Sequence, residues 1–204
     1  MKTAIVAFLM SAVVATATAW IKDKIAFPMT AADQIKALAA DADSSTLAMN
    51  VLAGNADKMT GQGLQTCLME NQGAADPCMA KAVSFLKDAV ARRAEITKAS
   101  AETQSAADGL MNSIRSAPFS GSITAQLESL QQRLGRAKDS LAAATAESDF
   151  SLAQLANHLA TMKGSEAAHQ AAVEQLAALK ANGLGSSLER AQMLAELAAG
   201  KRPH

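Results

Sequence analysis

The stretch SITAQLESLQQRLGRAKDSLAAA, Ser122 to Ala144, decides the fold. In it Ile123, Leu127, Leu130, Leu134, Ala137, Leu141 and Ala144 alternate four and three residues apart. An α-helix places such positions on one stripe, the kind of seam along which helices pack in bundles and coiled coils. Leu127, Leu130, Leu134 and Leu141 are therefore the expected interhelical contacts. Pro118 and Gly121 mark a turn before this helix, and Ser122 is placed to cap it. Beyond Asp149 the seam shifts to Leu152, Leu155, Leu159 and Met162, and Gly164-Ser165 is a natural break.

Working outward, the same period recurs with less regularity. Asp76-Pro77 reads as an N-cap followed by proline at the first helical position. It opens a helix to about Arg115 with Val83, Leu86, Val90, Ala94, Leu110, Met111 and Ile114 as its buried stripe. The middle of that helix, Lys98 to Asp108, is polar and expected to pack loosely or face solvent. Upstream, Thr30 can cap a helix carrying Ile35, Leu38, Ala39 and Ala42, then Leu47, Val51 and Leu52. Downstream, Val173, Leu176 and Leu179 continue a helical face toward Asn182-Gly183. Ser187 to Ala199 reads as a short amphipathic helix with Leu188, Ala191, Leu194 and Leu197, and Lys201–His204 as a frayed tail.

Composition agrees with an all-α chain. Half of the 204 residues are apolar, and alanine dominates them. There is no Tyr, one Trp and five Phe. Ala, Leu, Gln, Glu and Lys favour helix, and β-branched residues are few. Few aromatics leave little platform for stacking bases. A formal net charge of zero without a basic stripe also argues against a nucleic-acid surface. An alanine-rich core is thin, so the expected architecture is an elongated helical bundle in one domain spanning residues 20–204. Residues 61–77 form a small cysteine-bearing appendage with a short helix around Leu64 to Glu70. Residues 183–204 supply the terminal helix and tail.

The first residues, MKTAIVAFLMSAVVATATAWIKDK, have the layout of a secretory leader. Lys2 is a positive start, Thr3 to Val14 is uncharged and apolar, and Ala15-Thr16-Ala17 and Ala17-Thr18-Ala19 are overlapping cleavage sites. The expected leader is residues 1–19, leaving Trp20 first. A retained membrane anchor is the alternative, since about 20 apolar residues span a bilayer. With a single Leu and an Ala/Thr-rich end, the run is weak for a permanent span.

Export bears on Cys67 and Cys78, which enclose ten residues in TCLMENQGAADPC. In an oxidising compartment two cysteines usually pair. Zinc would need about four ligands at closer spacing, and no His precedes His158. A soft copper site with Met69 and Met79 is conceivable on ligand type alone. Other candidates for chemistry are sparse. His158 and His169, eleven apart, would share a face of one continuous helix but lie about 16 Å apart along it. Asp41 and Asp43, and Glu147 and Asp149, sit two apart and face different ways, as solvated charges do. Gly61-Gln-Gly63 and Gly183-Leu-Gly185 lack the context of a phosphate loop. Met49, Met59, Met69 and Met79 recur every ten residues, as gap-fillers of a thin core or as an adaptable contact surface. No set of polar groups converges as an enzyme or cofactor site requires, so no catalytic, cofactor or metal residue is assigned.

Three segments together carry a resemblance: the loop CLMENQGAADPC, the helix PCMAKAVSFLKDAVARRAEITKASAETQSAADGLMNSI and the seam from Ser122 to Lys163. The arrangement resembles the minor pilins of type IV secretion systems, placed at the tip of the secretion or conjugation pilus. Cys67 and Cys78 match that family's loop cysteines, and Leu127 to Leu134 is similar to its Leu- and Gln-rich return helix. The segment before Cys67 is shorter than the family's first long helix. The resemblance implies export to the periplasm and cell surface, and an elongated bundle with a small, often disulfide-bearing helical appendage. It also implies partners among secretion-system or pilus subunits and a recipient or host cell surface, with no catalytic residue and no cofactor. It leaves contact with a membrane only through an uncleaved leader. A periplasmic helical adaptor or chaperone is the second expectation, and an exported metal-binding protein the third.

Overall fold

A computed structural model describes residues 30–115 and 121–200. The leader, the segment Trp20–Pro28, the turn at 116–120 and the tail 201–204 lie outside the described residues. The described chain is all-α. Helix α1 spans Ala31–Lys58 and runs through a π-helical turn, Met59–Gly63, into the short α2, Leu64–Glu70. Helices α3, Ala75–Arg115, and α4, Gly121–Thr161, have 41 residues each. Helix α5, Glu166–Leu179, leads through a kinked turn, Lys180–Leu184, into α6, Gly185–Ala198. Gly183 takes φ of 85° within that turn, a left-handed conformation that glycine adopts without a Cβ penalty.

The helices form two compact units. One draws on described residues up to Met49 and on Glu95–Ala142; the other comprises Asn50–Ala94 and Ala143 onward. Each boundary falls inside a continuous helix, so no linker in the sequence announces the division.

In the first unit the buried cluster is Ile35, Ala39, Ala107, Ile114, Leu127, Leu130 and Leu134. Helix α1 starts on a local cap: the Asp33 amide donates to Thr30 Oγ1 at 3.2 Å, and the Thr30 hydroxyl donates to Asp33 Oδ2 at 2.7 Å. An Arg133–Asp43 ion pair and a hydrogen bond from the Thr46 hydroxyl to the Ala137 carbonyl tie α1 to α4. The polar middle of α3 is mostly exposed or half-buried, as expected, but two of its residues turn inward. Thr103 and Ala107 are buried, the Thr103 hydroxyl donating to Ala99 O at 3.0 Å. A hydroxyl satisfied on its own helix can pack against apolar neighbours, which a count of polar residues overlooks.

The second unit buries Leu52, Leu86, Leu152, Leu155, Leu159, Leu179, Leu184 and Leu188. Small residues correct several expected stripes. On α1 the buried positions beyond Ala39 are Ser45, Met49, Leu52, Ala53 and Ala56, so Leu52 is buried as expected whereas Leu47 and Val51 are exposed. On α3 Ala82, Ala89 and Ile96 are buried, Val90 is half-buried and Ala94 is exposed. On α5 Ala172 and Gln175 turn inward and Val173 faces out. On each of these helices small residues are buried among the larger ones, while some larger apolar side chains lie half-buried or exposed.

Candidate functional site

The disulfide-bearing part follows from local rules. At the end of α2 the Asn71 side-chain amide donates to the Cys67 carbonyl at 2.8 Å, occupying a last-turn acceptor. Gln72 and Gly73 then take φ of 52° and 85°, and the Gly73 amide donates to Leu68 O at 2.7 Å. That i to i−5 closure reverses the chain after the helix. The reversal brings Cys78 of α3 against Cys67 of α2 in a disulfide, with Cα atoms 5.7 Å apart. Both sulfurs are consumed in the bridge, which removes the thiolates a soft-metal site needs. Met79 is buried and Met69 is 74% exposed, so the two thioethers do not share an environment. The segment read as a loop is thus mostly helix, with its staple turned inward and Met69 outward.

Cutting this staple has a measurable consequence. Cys67→Ser with Cys78→Ser is expected to lower stability by about 3 kcal/mol, from the chain entropy that a ring of this size restores to the unfolded state. Chemical denaturation measures it, and native protein should show no titratable thiol. Two reactive thiols in freshly isolated protein would contradict the bridge.

Asp76 has a different job from the one its sequence suggests. Helix α3 begins at Ala75, so Asp76 lies within the first turn instead of capping it. Its Oδ1 accepts the Ser165 backbone amide at 2.8 Å. Ser165 is in turn the N-cap of α5, its hydroxyl accepting from the Ala168 amide. A Cβ on Gly164 would stand 2.6 Å from Met79 Sδ and 3.0 Å from Asp76 Oδ1, so a glycine permits this approach. The Ser165 backbone amide, and then its hydroxyl, hold the Asp76 carboxyl below the ordinary aspartate range, against a smaller opposing effect of desolvation. A depressed folded pKa adds stability above the unfolded pKa and loses it as pH falls through the folded value. Acidification should therefore loosen the start of α5, seen as a lower protection factor for the Ser165 amide relative to its intrinsic exchange at the same pH, and Asp76→Asn should remove that acid step. An identical acid profile in the variant would show that another group is responsible.

Asp149 corrects the reading of carboxylates as solvated charges. Arg93 of α3 donates to both its oxygens, from Nε to Oδ1 and from Nη2 to Oδ2 at 2.8 Å. The side chains are only 19% and 12% exposed. Arg93 follows Arg92 and precedes Glu95, and Asp149 stands two residues after Glu147, so nothing local in the sequence singles out this pair. His158 and His169 are placed on different helices, α4 and α5, which removes the shared-face geometry assumed for them.

The seam also builds a groove. Leu127, Leu130 and Leu134 are buried, but Leu141 is half-buried and lines a cavity of about 250 Å³ within the first unit. One wall is Thr97, Ser100, Ala101 and Gln104 on α3. The other is Leu134, Ala137, Lys138 and Leu141 on α4, with Ala42 of α1 also lining the cavity. Each set of four stands at i, i+3, i+4 and i+7, the face that a helix offers to another helix. In the second unit, α6 carries Met193, Leu194 and Leu197 at 48%, 43% and 50% exposure.

Among family models, curated proteins and solved structures, none matches this chain.

Proposed function

We propose that this protein is an exported structural component that works by contact: a minor pilus subunit of a type IV secretion or conjugation system, acting in pilus assembly and in contact with the recipient or host cell. The observation that supports it most is the stapled α2, which presents Met69 outward immediately before the 41-residue α3. A covalently closed helical turn meets a partner with less ordering left to lose, so a small contact can still be specific. A disulfide also belongs with an oxidising extracellular or periplasmic compartment. Among the described residues no helix is long and apolar enough to cross a membrane. In this reading residues 1–19 direct export and are removed, and the partners are other pilus or secretion-system subunits and the opposing cell surface.

In cells, the tagged chain should appear in sheared surface fractions together with secretion-system subunits, beginning at Trp20 or Thr18. Met69→Asp should keep the melting curve, because the side chain is exposed, and should reduce transfer or adhesion by about tenfold if Met69 anchors the contact. A chain found only as soluble periplasmic protein, with transfer unaffected by its deletion, would sink the pilus reading in favour of a helical adaptor.

A further inference from the structure

Two surfaces of this chain complement one another, a groove in the first unit and an exposed apolar stripe in the second. The groove of the first unit has small and apolar walls in Ala101, Leu134, Ala137 and Leu141, and a cation on its lining in Lys138. Several nearby charges are engaged elsewhere: Arg133 holds Asp43, Lys98 holds Glu102, and Asp108 accepts from Gln104. Lys138 has no ion pair among the described residues. A walled apolar trough two helical turns long, with one unpaired positive charge, suits an amphipathic helix with a large apolar stripe and a carboxylate at its flank.

Helix α6 has that composition. Met193, Leu194 and Leu197 occupy one face and are about half exposed, while Leu188 and Ala191 on the opposite side are buried. Glu189 and Glu196 stand seven apart along one flank of the exposed stripe. Glu196 accepts from Gln192 at 3.1 Å, whereas Glu189 has no ion pair among the described residues. Arg190, the cation nearest the stripe, stands 5.1 Å over the Phe150 ring of its own chain.

We propose that the Met193–Leu194–Leu197 stripe of one molecule seats in the Ala101–Leu134–Leu141 groove of a second copy, with Glu189 beside Lys138. Groove and stripe are different surfaces, so the contact is head-to-tail: each molecule in a pair keeps one unused surface, and association closes into a ring or grows into a chain. A single helix face buries little area, so isolated pairs are weak and the contact gains strength where copies are already held in line. The inference does not depend on the pilus reading, since it concerns purified protein alone.

The test uses the full chain in sedimentation velocity across a wide concentration range. Wild type should shift progressively beyond monomer, through dimer to larger species. Leu194→Asp with Leu197→Asp spoils the stripe, and Ala101→Trp fills the groove. Both alter exposed side chains, so both should keep the wild-type melting curve while weakening self-association by about tenfold or more. Mixing the two variants should restore association, because the intact stripe of one meets the intact groove of the other. That mixture should stop at a one-to-one pair, because the spoiled stripe and the filled groove left over cannot bind a third copy, whereas wild type continues past the dimer. Lys138→Glu should weaken association, and Glu189→Lys in the same chain should restore it. A wild type that stays monomeric, whether its stripe is free or held by its own chain, would overturn the proposal. So would self-association unaffected by the stripe variant, or a mixture that fails to pair.

Discussion

Leu130→Asp together with Leu134→Asp should abolish the cooperative folding of the first unit at ambient temperature. Both side chains belong to its buried cluster, at 1% and 5% exposure. Removing two buried leucines forfeits about 3 to 6 kcal/mol of apolar burial. Each aspartate adds the cost of a carboxylate without a partner, at roughly 1 to 3 kcal/mol or more. A sum of that size is comparable to the whole stability of a small domain, on the order of 5 to 15 kcal/mol. Helix content by circular dichroism and assembly into any larger structure should fall together. Leu141→Asp is the internal control, because Leu141 is half-buried at the groove and an aspartate there keeps access to water. It should cost far less. A double variant that melts like wild type would mean that this stripe faces solvent and that the bundle is held elsewhere.

The contrast between Leu134 and Leu141 shows how far the seam was legible. The period from Ile123 to Ala144 names a face of α4, and that face is the one buried at Leu127, Leu130 and Leu134. A period says nothing about how many neighbours stand opposite each position. Where Ser100, Ala101 and Ala42 provide the opposing surface, the gap is left open and Leu141 lines it. The errors on α1, α3 and α5 share one origin. Leu47, Val51 and Val173 are larger and more apolar than Ser45, Ala53 and Ala172, yet the small residues turn inward. In an alanine-rich chain close helix approach rewards small size over hydrophobicity, and a reading that ranks side chains by hydrophobicity then selects the wrong face.

Contacts between residues distant in sequence were the least legible part. Asp76 and Pro77 form a valid helix-start signal taken alone, and nothing local reveals that the carboxylate serves Ser165, 89 positions away. The short helix from Leu64 to Glu70 could be read because its signals are local: helix formers followed by Asn71, Gln72 and Gly73 in a reversal. The two-unit division had no such signal, since its boundaries lie within helices.

Arg93 and Asp149 support the second large prediction, because the pair cannot be opened from one side without leaving a charge behind. Asp149→Ala should destabilise the protein by about 3 to 5 kcal/mol, the cost of stranding a largely buried guanidinium in a site shaped for a carboxylate. Most of that cost comes from the uncompensated partner, so the double variant Arg93→Met with Asp149→Leu should recover most of the loss. Denaturant titration of Arg93→Met, Asp149→Leu and the double variant measures the coupling directly. Ser148, the next residue on α4, gives a contrast of opposite sign. Its hydroxyl is fully buried and has no hydrogen-bond partner among the described residues, so Ser148→Ala should be neutral or stabilising. Two adjacent polar positions are thus expected to respond oppositely to alanine, one because its partner is present and the other because none is. Equal small effects at Asp149 and Ser148 would show that water reaches the ion pair and that it contributes no more than a surface salt bridge.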